Sequence, residues 1–507
     1  MRANITRLEL DGFGCPMAHC NRNDDSLHDL PPLRIVESSQ KIVDPIVSPR
    51  AFVHLGAFTG EKAAVCTYDS TLHPALVAYD YNTGAVLWTS PQEDLPGLFQ
   101  RWPSGILLAR VAVDGGAAEG RVFAANPVEF VAYAADGRRL WKRATNQITI
   151  DAPSGIGMPT SLSFTNAREL VCVTTKGWVV KLDPLDGRVI SSYRMQAVVF
   201  VEGREYRGVF VTTKSPVVIG NVMYVLADFK PHLSYPLLHP FLCPVHLVRI
   251  ELNSAAGDRP AREIKPLVQP RGPADPTPDR VRLGVYTGTG SPPALVRPGQ
   301  PPMLFAHAHA LTAGGLTPTI QAVEDREGVL TMRWQSRLSA ERGDDVYAAP
   351  ALHAASGTLL VTTLRHIYLF RDVASLNGVV PCPATIAPTN LLASASDPRT
   401  SSVRVGSPFG LAFDADRNEI VAYTNFRVTA EPTFLSYGFI GAFSVPVDHR
   451  EAPRPLWQQP LGVAREGVAI PGFGTFGQPA LFRYDCAGNK ATGVIVNTVA
   501  TGTYIFR

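Results

Sequence analysis

Four soft donor side chains fall within six residues near the start of the chain: Cys15, Met17, His19 and Cys20. Thiolates, thioethers and imidazoles are the donors that copper and zinc prefer, so Cys15, His19 and Cys20 are candidate metal ligands. Their spacing differs from the Cys-x-x-Cys-His of covalent haem attachment and from a Cys-x-x-Cys zinc knuckle. A local disulfide between Cys15 and Cys20, and two ordinary thiols, remain open alternatives.

Two histidines separated by one residue form a second candidate metal site. In a β-strand the spacing of His307 and His309 puts both imidazoles on one face. Neutral imidazole is a common ligand of zinc and copper. His232 and His239 lie in a proline-rich stretch that is typical of a lid or pocket wall, and they complete the set of candidate metal-binding histidines. For the pair, the alternative is that one imidazole faces solvent and the other packs.

Three charged residues between apolar runs are candidate catalytic groups: Asp345, Arg365 and Arg427. A carboxylate such as Asp345 can act as a general base or a cation ligand, and a solvated acidic turn is the alternative. Other enzyme motifs are missing from the sequence: it contains no Gly-x-Ser-x-Gly, no phosphate-binding glycine loop and no His-Glu-x-x-His.

A repeat predicts the elements that position these residues. Eight short apolar runs begin at a proline, namely Pro49, Pro103, Pro159, Pro216, Pro293, Pro350, Pro408 and Pro479. Five of the intervals are 54–58 residues long and two are longer, at 77 and 71 residues. Self-similarity at such a period indicates a repeat architecture. Within the repeats, turns such as Asn82-Thr83-Gly84 separate apolar runs and an aromatic residue closes the unit, which predicts β-hairpins.

Four strands per unit and eight units predict an all-β fold, an eight-bladed β-propeller of four-stranded antiparallel blades. The closing Trp residues are then wedges between blades. The C-terminal residues form a third strand without a fourth, so an N-terminal strand, with residues 33–37 as the candidate, is expected to close the last blade. Residues 1–32 form an N-terminal extension and residues 33–507 one propeller domain, with insertions at about 229–245, 254–282 and 425–438.

The hairpin with a Thr-Gly or Asp-Gly turn and a terminal Trp resembles the tryptophan repeat of the quinoprotein, or pyrroloquinoline-quinone-like, propellers, over about residues 33–507. That superfamily includes quinone-dependent alcohol dehydrogenases and a non-enzymatic outer-membrane assembly lipoprotein. Its dehydrogenases hold the quinone with adjacent cysteines, whereas this chain has seven cysteines and no Cys-Cys. The resemblance therefore implies the fold, and the missing pair argues against pyrroloquinoline quinone as the cofactor.

Composition excludes several classes of partner. The 47 basic and 44 acidic residues are spread along the 507-residue chain, which argues against nucleic acid and anionic membranes. No run of 18 apolar residues is present, so no transmembrane segment is predicted.

The chain begins without an apolar signal core, which leaves two compartments open: the cytoplasm, or a periplasmic or secreted location if a signal peptide has been removed.

Three functions follow from these features. The histidines and the long inserted loops favour an enzyme or redox protein that binds a small organic molecule in an axial pocket, with copper or zinc as candidate ions. The second is a non-catalytic scaffold for protein partners. The third is a degenerate quinoprotein that retains an unusual quinone.

Overall fold

The computed structural model describes part of the chain in detail. The described residues are 5–9, 27–28, 41–43, 50–59, 62–69, 75–80, 86–90, 106–125, 128–149, 152, 155–201, 204–232, 245–252, 280–284, 292–312, 315–338, 350–354, 356–363, 366–383, 385–386, 412–414, 419–427, 436–444, 455–465, 468–471, 480–486, 489–498 and 502–506.

Short β-strands make up nearly all of the regular structure in these segments, as the alternating apolar runs and frequent turns predict. A single 3-10 turn, Thr145–Gln147, is the exception among the described residues. In the first part of the chain the strands are β1 (Ile5–Glu9), β2 (Leu27–His28), β3 (Lys41–Val43), β4 (Arg50–Thr59), β5 (Lys62–Asp69), β6 (Ala75–Asp80), β7 (Val86–Thr89), β8 (Ile106–Val113), β9 (Glu119–Ala125), β10 (Glu129–Ala134), β11 (Arg139–Ala144), β12 (Pro159–Phe164), β13 (Leu170–Thr174), β14 (Trp178–Leu182) and β15 (Val189–Arg194).

The middle of the chain contributes β16 (Gln196–Val201), β17 (Arg204–Val211), β18 (Val217–Ile219), β19 (Val222–Pro231), β20 (Val245–Glu251), β21 (Arg280–Gly284), β22 (Ala294–Leu295), β23 (Met303–Thr312), β24 (Gly315–Arg326), β25 (Val329–Arg337), β26 (Ala351–His353), β27 (Thr358–Thr362), β28 (Ile367–Phe370), β29 (Gly378–Val379) and β30 (Thr385–Ile386). The last part contributes β31 (Ala412–Asp414), β32 (Glu419–Arg427), β33 (Ser436–Ser444), β34 (Pro455–Arg465), β35 (Val468–Pro471), β36 (Ala480–Cys486), β37 (Asn489–Thr498) and β38 (Gly502–Phe506).

The described strands group into sheets that follow one another along the chain, and we number them in that order. They are sheet 1 (β4-β5-β6-β7), sheet 2 (β1-β8-β9-β10-β11), sheet 3 (β12-β13-β14-β15), sheet 4 (β16-β17-β19-β20-β21, with β18 beside β19), sheet 5 (β22-β23-β24-β25-β29), sheet 6 (β26-β27-β28-β30), sheet 7 (β31-β32-β33-β34-β35) and sheet 8 (β2-β36-β37-β38-β3). Pairing is antiparallel, except that β2 runs parallel to β36 and β29 parallel to β25. The prediction of an all-β fold built from antiparallel sheets is therefore confirmed.

Hydrophobic side chains fill the spaces between consecutive sheets. Phe123 of sheet 2 lies in one cluster with Phe164 of sheet 3, and their rings meet edge to face at 5.6 Å. Further clusters join sheets 1 and 2, 3 and 4, 4 and 5, and 5 and 6. Burial of apolar area between sheets is thus the main source of stability in this part of the chain.

The Trp residues fix the spacing between neighbouring sheets. Trp88, Trp141 and Trp334 each donate an indole N–H, at 2.9 Å, to a backbone carbonyl in the turn of the next sheet: Ala135, Pro184 and Val373, respectively. A buried indole needs such an acceptor, because an unpaired N–H costs free energy. The wedge role that the sequence predicts for these residues is seen directly in these contacts.

Glycine is required where the Trp ring meets the turn. Gly187 has a φ of +69°, and a Cβ on it would lie 2.5 Å from Cε3 of Trp141. We expect Gly187→Ala to lower the free energy of unfolding by about 1–3 kcal/mol, because the methyl group must displace the ring and the backbone is left-handed. Urea unfolding measures the loss.

Gly299 supplies the matched control for this substitution. Its φ is +71°, and a Cβ there would meet nothing within 4 Å. Gly299→Ala should therefore show only the cost of the backbone conformation, and equal losses in both variants would contradict the Trp contact as the cause.

The two ends of the chain share sheet 8. Lys41, Ile42 and Val43 pair antiparallel with Ile505, Tyr504 and Thr503. This is the pairing of chain ends that the sequence predicts, but β3 lies at 41–43, and residues 33–37 are outside the described residues. The predicted insertions at about 229–245 and 425–438 fall largely outside the described residues; β19 ends at Pro231 and β20 begins at Val245, and β32 ends at Arg427 and β33 begins at Ser436.

Candidate functional site

The two histidines separated by one residue lie on the long hairpin of sheet 5. His307 is opposite Ile320 and His309 is opposite Pro318 in the pairing of β23 with β24. Each of the two histidines is 1% exposed. The prediction that both share one face of a strand therefore agrees with the structure, and the alternative in which one faces solvent is wrong.

The opposite face of the same hairpin is also polar and buried. Thr319 Oγ1 donates to the carbonyl of Ala308 at 2.8 Å, and Gln321 Nε2 donates to Thr319 Oγ1 at 3.3 Å. Both Thr319 and Gln321 are 4% exposed. Polar groups thus occupy both faces of a strand pair whose other end carries Leu304, Phe305 and Val323.

A buried lysine approaches this hairpin from sheet 4. Lys214 lies between β17 and β18, its side chain is 5% exposed, and its Nζ is 3.3 Å from Oδ2 of Asp228. Thr212 holds the segment in place: its Oγ1 donates to the carbonyl of Leu226 at 2.6 Å and accepts the N–H of Lys214 at 2.9 Å. An ammonium this buried requires a paired carboxylate, which Asp228 provides.

Burial and charge act together on His307. Burial, the neighbouring His309 and the charge of Lys214 together lower the pKa of His307 from 6.5 to about 3. The imidazole is consequently neutral at pH 7, and in this form it can accept a hydrogen bond or bind a metal. We refer to His307, His309, Lys214 and Asp228 as the histidine-lysine cluster.

Sequence reasoning identified the histidines of this cluster and missed the other two members. Lys214 immediately precedes Ser215-Pro216 at the start of a repeat, and Asp228 interrupts the apolar run of β19. A single charged residue within an apolar strand is the available signal, because such residues are almost never fully buried unless paired.

The remaining predicted residues do not join this cluster in the described part of the chain. His232 follows β19, has an exposed side chain, and donates its backbone N–H to the carbonyl of Arg207 at 2.9 Å. Arg427 is the last residue of β32, and its side chain is not described. The other candidates fall outside the described residues: Cys15, His19, Cys20, His239, Asp345 and Arg365.

A metal centre needs more ligands than the two histidines. Within the described ranges no group of three or more His, Cys, Asp or Glu side chains is placed to hold a metal ion.

Within those same ranges, no helix has the length and apolar character needed to cross a membrane.

Cys172 and Cys382 are held as neutral thiols, because burial raises the pKa of both. Cys172 is 1% exposed in the core between sheets 2 and 3, and burial raises the pKa of its thiol. Cys382 Sγ donates to the carbonyl of Leu338 at 3.0 Å, and burial raises its pKa as well. Neither residue has a cysteine next to it in the sequence, so these two thiols do not fit the paired clamp of a bound quinone.

No protein-family model matches the chain, and no curated protein matches its sequence. Solved structures do resemble it. A quinohemoprotein alcohol dehydrogenase from Comamonas testosteroni is 9% identical, with a TM-score of 0.42 over 97% of this chain and 80% of that one. A europium-containing methanol dehydrogenase is 12% identical, with a TM-score of 0.45 over 97% and 91%. BamB from Moraxella catarrhalis is 12% identical, with a TM-score of 0.36 over 76% and 91%.

Proposed function

We propose that the protein is an eight-bladed β-propeller enzyme that acts on a small organic molecule at the histidine-lysine cluster. The observation that carries the proposal is the joint burial of two imidazoles and an ammonium, at 1%, 1% and 5% exposure, on neighbouring sheets. A buried group whose pKa is strongly perturbed, as that of His307 is, is found most often at functional sites, where the chemistry requires a particular protonation state.

The closed ring is the first part of this proposal. The sheets follow each other in chain order, and β4 of sheet 1 contacts both β36 and β37 of sheet 8. This contact supports a ring of eight blades over residues 33–507, fastened by β3 and β38 in one sheet.

The chemistry of the cluster is the second part. Neutral His307 is suited to form a hydrogen bond with a polar group of a bound substrate, because its lowered pKa keeps the ring uncharged at pH 7. Lys214 supplies a positive charge that favours a substrate with negative charge. His309 lies two residues along the same face of β23. Copper or zinc at His307 and His309 would require a third ligand beyond the described residues, so hydrogen bonding to a polar substrate is the chemistry that the cluster supports most directly.

A ligand panel tests the proposal. Thermal unfolding is measured for the wild type and for His309→Gln with a panel of small alcohols and aldehydes. We expect at least one compound to raise the unfolding temperature of the wild type and to lose this effect in His309→Gln. His232→Gln, at an exposed histidine, is the matched control and should keep the effect.

The result also separates the enzyme from a scaffold. A propeller that only docks protein partners should show no small-molecule stabilisation that depends on His309. Stabilisation that persists in His309→Gln would place the ligand elsewhere and contradict the proposal. Elemental analysis of the same preparations, for copper and zinc, shows whether a metal accompanies the cluster.

A further inference from the structure

A cavity of about 250 Å³ opens beside sheet 5 at the end of the hairpin away from the histidines. Met303 begins β23 and lines this cavity, and His309 lies six residues further along the strand. At about 3.4 Å per residue, some 20 Å separate them. The cavity is therefore distinct from the histidine-lysine cluster, and an inference about it goes beyond the proposed function.

Three guanidinium groups and one carboxylate line the cavity. They belong to Arg297, Arg326, Arg333 and Glu324. Arg326 Nε donates to Glu324 Oε2 at 2.7 Å, and Arg326 Nη2 is 3.5 Å from Oε1. The carboxylate thus neutralises one guanidinium, and two positive charges remain on the wall.

One of these guanidiniums has an unsatisfied donor. Nε of Arg333 is buried and has no hydrogen-bond partner in the part of the chain that the structure describes. A buried N–H of a charged group is costly to leave unpaired, and an anion that neutralises the guanidinium from the cavity side lowers this cost. Arginine binds carboxylate oxygens particularly well, because its planar donors match their geometry.

The rest of the wall is apolar. Leu295 and Met303 are 4% and 6% exposed, and Ala374 of the neighbouring sheet-6 segment completes this side. Arg297 reaches towards sheet 6, since a Cβ added to Gly357 would lie 3.4 Å from Arg297 Nη2. Excess positive charge on one side and buried aliphatic surface on the other select a ligand with an anionic head and an apolar body.

We infer that this cavity binds a small organic carboxylate, whose oxygens accept from Arg333 and Arg297 and whose apolar body packs on Leu295 and Met303. The volume suits a ligand smaller than a typical drug molecule. The carboxylate offsets the positive charge that Arg297 and Arg333 leave on the wall. Glu324 keeps Arg326 in place through their ion pair and disfavours doubly charged ligands by repulsion.

Calorimetric titration with benzoate tests the inference on the full chain. We expect benzoate to bind the wild type, benzamide to bind at least tenfold more weakly, and Arg333→Gln to lose at least tenfold of the benzoate affinity. Arg337→Gln removes the same charge from the other end of β25, where Arg337 pairs with Thr319, and should bind benzoate as the wild type does.

Several results would overturn the inference. These are no benzoate binding at millimolar concentration, equal affinity for benzoate and benzamide, equal losses in Arg333→Gln and Arg337→Gln, or inorganic phosphate binding as tightly as benzoate, which would mark a general anion site. If Arg333→Gln does not fold, Arg297→Gln replaces it, and the same tenfold loss is expected. None of these outcomes depends on His309, so failure here leaves the proposed function untouched.

Discussion

Asp325→Ala should lower the free energy of unfolding by about 3–5 kcal/mol, because it removes the centre of a buried polar network between sheets 4 and 5. Oδ2 of Asp325 accepts from the Tyr224 hydroxyl at 2.5 Å and from Arg249 Nε at 2.8 Å. Its Oδ1 accepts the N–H of Gly328 at 3.1 Å. The variant leaves the buried hydroxyl of Tyr224 and Nε of Arg249 without their acceptor, while Arg249 Nη1 keeps its bond to Glu251 at 2.6 Å. Each unpaired donor costs free energy away from water. Urea unfolding followed by tryptophan fluorescence measures the loss.

Asp136 provides the control for this substitution. Its Oδ1 also accepts a backbone N–H in a turn, that of Arg138 at 3.0 Å, but its side chain is 68% exposed. Asp136→Ala should cost less than about 1 kcal/mol, since water replaces the lost contacts. A loss of that small size in Asp325→Ala as well would show that the network between the sheets contributes little to stability.

The strands and turns of this fold could be predicted because each depends on residues that are close together in the sequence. Turn glycines such as Gly137 and Gly187 have φ values of +84° and +69°, which glycine adopts without the strain of a side chain. An aromatic residue that closes the hairpin follows such a turn closely, as Trp141 follows Gly137 by four residues. Period-two alternation also predicted the shared face of His307 and His309, since that property depends only on strand geometry.

Pairings between distant segments were not predicted. The β16-β17 hairpin extends sheet 4 through pairing with β19, and β29 crosses back to run parallel to β25. Both depend on which strand edge lies nearby in the folded chain, and no turn or alternation in the sequence specifies that. The first strand likewise pairs with β8, more than 90 residues away along the chain.

The residues that surround His307 and His309 could not be predicted from the sequence either, because they come from distant segments of the chain. The pairing of Lys214 with Asp228 depends on the break between β17 and β18, and the hydrogen bond of Tyr224 to Asp325 spans 101 residues. A histidine in a strand can face solvent or core, and the sequence alone does not distinguish them. Burial of the pair follows from the packing of sheets 4, 5 and 6, which is a property of the assembled fold.

Acid should destabilise this protein through His307, and His307→Gln should remove that part of the effect. Burial lowers the pKa of His307 from 6.5 to about 3 in the folded state, whereas the unfolded chain takes up the proton at the ordinary pKa. Stability is therefore fully present above pH 6.5 and is lost as the pH falls towards 3, at about 1.4 kcal/mol per pH unit. Between pH 6 and pH 4 the contribution of His307 amounts to about 2.5 kcal/mol.

The difference between wild type and variant isolates this contribution, because carboxylates that titrate in the same range are common to both proteins. Urea unfolding at pH 6, 5 and 4 should show the wild type losing about 2.5 kcal/mol more than His307→Gln over that range. His232→Gln, at an exposed side chain, serves as the control and should follow the wild-type curve. Parallel curves for the wild type and His307→Gln would mean that the imidazole is protonated as readily in the folded protein as in the unfolded chain. A neutral imidazole at the histidine-lysine cluster would then have no basis.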